Sequence, residues 1–164
     1  MSAANDYKPH LLVIPEDKAN QDIVNGFSLH LEVNERQFTV LPIAKGWSKG
    51  KERLSELCEK RLSKCKTAYA LLIVDYDGDR DRGSKIKSSL PAEVKDRVFV
   101  IGILSEPERL KSSINQKYED IGRLVAEGCR EKSTDFWEQQ ELLAHNLDEV
   151  QRLSKAVRNF FFKD

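Results

Sequence analysis

The sequence predicts an α/β domain of about four mostly parallel strands, flanked by helices in three layers, with a helical C-terminal third. Two observations carry this. Four short, nearly unbroken apolar runs, HLLVIP, FTVLPIA, AYALLIV and RVFVIGIL, read as strands buried on both faces. The stretches between them, and the chain after residue 105, repeat apolar residues at helical spacing. Residues 1–164 are expected to form one domain, 10–104 as the α/β core and 105–164 as a helical extension packed on it.

His10 to Pro15 is the first strand, followed by a helix over Asp17 to Leu31 with Ile23, Val24, Phe27 and Leu31 on one face. Phe38 to Ala44 is the second strand, and Pro42 places it at an edge or marks its end, because proline cannot donate to a ladder. GWSKGK leads into a helix from about Lys51 to Lys64, with Leu54, Leu57, Cys58 and Leu62 at helical spacing. Ala68 to Val74 is the third strand and the most apolar. Ser84 to Leu90 supplies a short helix, Pro91 a turn, and Arg97 to Leu104 the fourth strand. Pro107 suits a first helical position with Ser105 as its N-cap. Helices over Lys117 to Glu131, Thr134 to His145 and Leu147 to Phe162 follow, the last docking through Leu147, Val150, Leu153, Val157 and the FFF run.

Composition narrows the function classes. Hydrophobic residues at 40% and charged residues at 33% exclude a disordered or membrane-embedded chain. No apolar run approaches the ~20 residues that span a bilayer. The start, MSAANDYKPH, lacks the basic-then-apolar order of a signal peptide, so a cytoplasmic protein is expected. Lys plus Arg and Asp plus Glu both total 27, so nucleic-acid contact would need a local basic patch rather than bulk charge. The 3 cysteines, Cys58, Cys65 and Cys129, form no CxxC pair, which argues against a disulfide framework or a zinc site. Cys58 and Cys65, seven apart on one helix face, read as small buried apolar groups.

The chemistry gathers where strands end in acid. HLLVIPED places Glu16 and Asp17 past the first strand; LLIVDYDGDRDR places Asp75 and Asp77, then Asp79 and Asp81, past the third. Ligands of open α/β sheets bind outside the carboxyl ends of the strands. If the two strands are neighbours, these acids converge and raise one another's pKa unless a cation neutralises them. Asp81 is expected outside the cluster, paired with an arginine or solvent. Oxygen-only ligands favour Mg²⁺ or Mn²⁺ over zinc. The bland alternative is a polar turn, since Asp and Gly are ordinary turn residues. A calcium-binding EF-hand loop fails, because Arg80 stands where glycine and Ile86 where glutamate would be required.

A strand ending in Glu, a helix, and a later strand ending in Asp-x-Asp resembles the TOPRIM pattern of topoisomerases, primases and OLD-type nucleases. VIPEDKANQDIVNGF resembles the first motif in the variant found in small stand-alone TOPRIM-like proteins, GWSKGKERL the glycine-containing segment after the second strand, LLIVDYDGDRDR the DxD motif, and DRVFVIGILSEPERL the strand and helix start that follow. The resemblance covers about residues 10 to 110 and implies a three-layer TOPRIM-like (Rossmannoid) fold. By position it implies Glu16 as the acidic, catalytic residue of the first motif, Asp75 and Asp77 as metal ligands and Asp79 as an auxiliary ligand. Pro15 and Asp17 flank the glutamate where many TOPRIM nucleases carry a following glycine. No tyrosine in a topoisomerase context and no ATPase segment is present, which excludes a topoisomerase or a complete OLD nuclease.

The leading expectation is a Mg²⁺- or Mn²⁺-dependent phosphodiester nuclease or phosphotransfer domain acting on nucleic acid, in DNA repair or phage defence. In it Asp75 and Asp77 hold the metal, and Glu16 acts as general base or further ligand. The second is a HAD-like phosphatase, since VDYDGD resembles that family's core with Asp75 as nucleophile and Asp77 as acid–base. Against it, the motif lies off the first strand, Asp79 replaces the expected threonine, and no late GDxxxD segment exists. The third is a non-catalytic TOPRIM-like subunit binding a separately encoded partner ATPase, with Phe136, Trp137 and Phe160 to Phe162 as its surface; the competing role for these aromatics is to cover the sheet. Lys49 and Lys51, in a cluster with Lys45 and Arg53 around the glycines, are candidates to contact a phosphate or nucleic acid, against a solvated loop. GWSKGK is not a P-loop, because Gly46 and Gly50 are misplaced and Glu52 follows Lys51. Arg80 and Arg82 either pair with the aspartates or contact a substrate phosphate. His145 is expected to cap or pack, His30 to lie at the surface or as a satisfied core group, and Trp47 and Trp137 to pack.

Overall fold

The computed structural model describes residues 8–30 and 32–162. Leu31, expected on the apolar face of the first helix, lies outside them, as does most of the N-terminal stretch read for a signal peptide. Strands β1 (His10–Pro15), β2 (Phe38–Val40), β3 (Ala68–Ile73) and β4 (Val98–Ile101) form one parallel sheet in the order β2-β1-β3-β4. Helices α1 (Lys18–Ser28), α2 (Trp47–Leu57) and α3 (Arg82–Ser88) connect successive strands. Helices α4 (Pro107–Ile114), α5 (Tyr118–Arg130), α6 (Asp135–Gln139) and α7 (Leu147–Phe161) complete the helical C-terminal third.

Strand side chains alternate between two cores, as period two requires. Leu11, Val13, Leu71, Phe99 and Ile101 face a layer built from α1, α5, α6 and α7, where Val24, Ile121, Trp137, Val157, Phe160 and Phe161 are buried. Ile14, Ala70, Leu72, Val98 and Val100 face the opposite layer, where Leu54 and Cys58 beside α2 and Ile86 of α3 are buried. Both faces are therefore covered, which is why each strand reads as a continuous apolar run. The expected fold class holds.

Boundaries shift for local reasons. Pro42 confines β2 to three residues at the sheet edge. GWSKGK is not a loop: Gly46, at φ 129°, ends the turn and α2 begins at Trp47. That helix closes through a π-turn over Cys58–Leu62. Cys58 is buried as expected, but Cys65 lies in the turn beyond the helix, its Sγ 3.2 Å from Thr67 Oγ1. Pro107 does open α4, yet Glu106 precedes it as N-cap and Ser105 instead accepts from Arg109 at 3.2 Å. The helix expected over Thr134 to His145 stops at Gln139, because the chain turns so that Leu142 O can accept from Leu104 N–H at 2.9 Å beyond β4.

Among the described residues no strand lies beside the outer side of β4. Its outward backbone groups are met by side chains at the start of α7 instead. Asn146 holds Gly102 through both its N–H (3.0 Å) and its carbonyl (2.7 Å). Glu149 accepts from Val100 N–H at 3.0 Å, and Arg152 donates to Val98 O at 2.5 Å.

Candidate functional site

The strand order reverses direction between β1 and β3, and a parallel sheet opens its crevice at such a switch point, outside the carboxyl ends. Glu16 and Asp75 sit there, past strands paired in register from His10↔Ala68 to Pro15↔Ile73. Glu16 continues the ladder, its N–H donating to Ile73 O at 2.9 Å. Its carboxylate Oε2 turns back and accepts from Asp75 N–H at 2.5 Å. Asp17 caps α1 by accepting from Asn20 N–H at 2.9 Å. Asn20 is fully buried and donates through Nδ2 to Asp75 Oδ1 at 3.2 Å, while its own Oδ1 has no partner.

The turn after β3 spreads the remaining aspartates. Asp77 and Gly78 occupy consecutive left-handed positions, at φ 48° and 81°, with Tyr76 and Gly78 N–H bonded to Ile103 and Leu104 O. Arg82 donates to Asp75 O at 2.6 Å and to Asp77 Oδ2 at 3.0 Å, and its guanidinium lies 4.7 Å from the centroid of the Trp47 ring. Asp79 pairs with Lys85 at 2.9 Å. Asp81 is exposed, and its N–H donates to Asp79.

Crowding shows in the proton affinities. Burial first, then the charge of Asp17, with Glu16 and Asp77 adding, pushes the Asp75 carboxyl up to about 7, against the pull of the Asn20 hydrogen bond. Burial also raises Glu16, with Asp17 and Asp77 adding, against Asp75 N–H and Arg82. Lys85 and the Asp81 N–H hold Asp79 below the usual carboxylate range.

The site thus brings together Glu16, Asp75 and Arg82, with Asp77 at its exposed rim. It leaves Asp79 to Lys85 and Arg80 at the surface. Lys49 and Lys51 lie on the first turns of α2, and among the described residues neither enters an ion pair. No three His, Cys, Asp or Glu side chains are arranged to share one ion among the described residues. The donor chemistry nonetheless fits a hard divalent cation: oxygen atoms alone, a carboxyl whose proton affinity is raised by burial and then by like charge, and the buried orphan Oδ1 of Asn20 beside it. Asp17 and Asn20 were outside the expected ligand set. Their signal was position, one and four residues after Glu16 where a helix starts.

Other residues expected to be bland are so. His145 packs its ring 4.6 Å from that of Tyr76, and His30 bonds Glu127 at 2.7 Å. Trp137, Phe160 and Phe161 are buried against the sheet, and Phe136 and Phe162 are half-buried beside them. Trp47 is the exception, 39% exposed at the rim of the crevice rather than packed. An apolar cavity of about 100 Å³ lies between the sheet and α1, α5 and α7, with Asn20, Val24, Leu71 and Val157 among its walls.

Fold and site together define an open parallel α/β protein with an acidic crevice at its switch point. Compared with protein-family models, curated proteins and solved structures, the chain finds no match in any of the three. Among the described residues no helix is long and apolar enough to cross a membrane.

Proposed function

We propose a Mg²⁺- or Mn²⁺-dependent phosphodiester nuclease or phosphotransfer domain of TOPRIM-like type, acting on nucleic acid in the cytoplasm. One observation carries the reading: Glu16, Asp17 and Asp75 meet at the carboxyl ends of adjacent β1 and β3, and Asp75 is driven up to about 7. A divalent ion there would be held by Asp75, with Asp17, Glu16 and Asp77 the further carboxylates whose charge reaches it, and would supply charge neutralisation at the phosphate and a more acidic water. Glu16, with its raised proton affinity, is suited to take a proton from water. Arg82, fixed by Asp75 O and Asp77, presents a cation to a phosphate oxygen. DNA repair or phage defence is the biological setting the TOPRIM resemblance implies.

The test is cleavage of plasmid, single-stranded DNA and RNA with Mg²⁺ or Mn²⁺. Activity is expected from the wild type and not from Asp75→Ala or Glu16→Ala; equal activity in the variants sinks the reading. A phosphatase of HAD type would instead form an acyl phosphate on Asp75, and beryllium fluoride bound to that carboxylate in the phosphoryl group's place would mark it.

A second reading has its own support. Glu16, Asp77 and Asp79 already have partners in Asp75 N–H, Arg82 and Lys85. A crevice neutralised from within suits a non-catalytic subunit that binds a partner ATPase. Inert protein that co-purifies with an ATPase at a defined mass ratio would establish it.

A further inference from the structure

We propose that Trp47, backed by Arg82, is a stacking platform for one unpaired nucleobase of a single-stranded nucleic acid entering the β1–β3 crevice. The inference rests on the reading above only in taking nucleic acid as the ligand. Three large apolar side chains are exposed among the described residues, Leu29, Leu124 and Trp47, and Trp47 alone stands beside the acids. An indole left 39% exposed forgoes burial of a large apolar ring. Here it is held in place. Ala44 and Lys45 N–H donate to Pro15 O and Glu16 O, both at 2.9 Å, so the chain reaches Trp47 directly from the end of β1. Left-handed backbone at Lys45 (φ 66°) and Gly46 (φ 129°) then turns the ring to the rim as α2 begins.

Arg82 fixes the other side. Its guanidinium stacks 4.7 Å from the ring centroid while its hydrogen bonds run to Asp75 O and Asp77. The side chain is 13% exposed, so it is a rigid backing rather than a mobile surface arginine. One guanidinium therefore separates the aromatic ring from the acid cluster. Lys45 and Lys49, two residues before and after Trp47, are exposed and without an ion pair among the described residues, so they are available to the phosphates of a strand whose base stacks on the ring. A duplex keeps its base faces stacked on one another, so a rim aromatic of this kind selects unpaired bases.

The test is quenching of tryptophan fluorescence by a single-stranded 12-nucleotide DNA in EDTA, which separates binding from cleavage. Trp137 is buried and contributes a constant background. Saturable quenching is expected, with Trp47→Phe within about threefold of wild type when read by anisotropy of the labelled strand. Trp47→Ala should weaken binding roughly 5- to 160-fold, the range for loss of one stacked base, with unchanged circular dichroism. An abasic strand should lose as much on wild type and nothing further on Trp47→Ala, and the matching duplex should bind more weakly than the single strand. Equal binding by Trp47→Ala, equal binding of the abasic strand, or no binding of single strands overturns the platform. If nothing is cleaved yet binding follows the ring, the platform stands and the nuclease reading falls. If Asp75-dependent cleavage occurs while Trp47→Ala binds as wild type, the platform alone falls.

Discussion

Asp75 carries the most sensitive prediction. Its unfolded carboxyl titrates near the ordinary 3.8 and its folded one at about 7, so between these values the folded chain keeps a proton that the unfolded chain has lost. Its contribution to stability therefore falls as pH rises from about 4 to about 7 and is flat beyond. A shift of that size is worth roughly 4 kcal/mol for a dry group and is cut severalfold by solvent at this half-buried carboxyl. Asp75→Asn, which keeps an acceptor for Asn20, should therefore match wild type in Tm at pH 4 and exceed it by ~2–4 °C at pH 8, the response of a chain this size to about 1 kcal/mol. Mg²⁺ should raise the wild-type Tm at pH 8 and leave Asp75→Asn unmoved; a Tm of wild type indifferent to Mg²⁺ would count against a cation at this carboxyl. Glu16 separates structure from chemistry. Glu16→Gln keeps an oxygen for Asp75 N–H, whereas Glu16→Ala strands that donor at a cost of about 1–3 kcal/mol, measurable by urea unfolding, yet both should be inactive in cleavage. The acids themselves were legible, since VIPED and VDYDGD are visible strand ends. What each acid does was not, because partner choice depends on the turn: left-handed Asp77 faces Arg82, and Asp79 reaches forward to Lys85.

The helices that position these groups depend on close packing. Where α1 crosses α5, a Cβ on Gly26 would stand 1.9 Å from Glu119 O, and one on Gly122 would stand 1.9 Å from Ile23 O. Neither obstacle is a flexible side-chain tip, so Gly26→Ala should force the helices apart at a cost of ~3 kcal/mol in chemical denaturation. Because α1 carries the Asp17 cap and Asn20, the same variant should weaken any Mg²⁺-dependent gain in Tm; an unaltered gain would show the crossing and the crevice to be independent. Strand positions were readable because burial on both faces leaves unmistakable apolar runs. Helical spacing predicts a helix over Thr134 to His145 but says nothing about Leu104 N–H, whose need for an acceptor ends it. Gly46 looks like loop composition and so hides the start of α2, although its φ of 129° is what launches the helix.

Across the whole sheet the edges are managed differently. The β2 edge is short and ends before Pro42, whereas the β4 edge is hidden by Asn146, Glu149 and Arg152. Burial pushes the Glu149 carboxyl up, but hydrogen bonds from Arg152, Lys87 and Val100 N–H outweigh it and hold it below the usual range. Its contribution is then present above the unfolded value and lost as pH falls through the lowered folded one. A Glu149→Ala, Arg152→Ala double variant should leave Val100 N–H and Val98 O open and self-associate at neutral pH, seen as concentration-dependent sedimentation; a strictly monomeric double variant would show that β4 needs no cover.

The three covering side chains also work as a vernier. Three residues of helix advance about 4.5 Å, while two residues of strand advance about 6.6 Å, so α7 lags further behind β4 at every step. The side chains lengthen in the same sequence, asparagine at Gly102, glutamate at Val100 and arginine at Val98, each making up a larger lag than the one before. Length rather than charge is thereby graded along the helix. Glu149→Asp and Arg152→Lys, which keep every charge, should uncover the strand almost as well as alanine does.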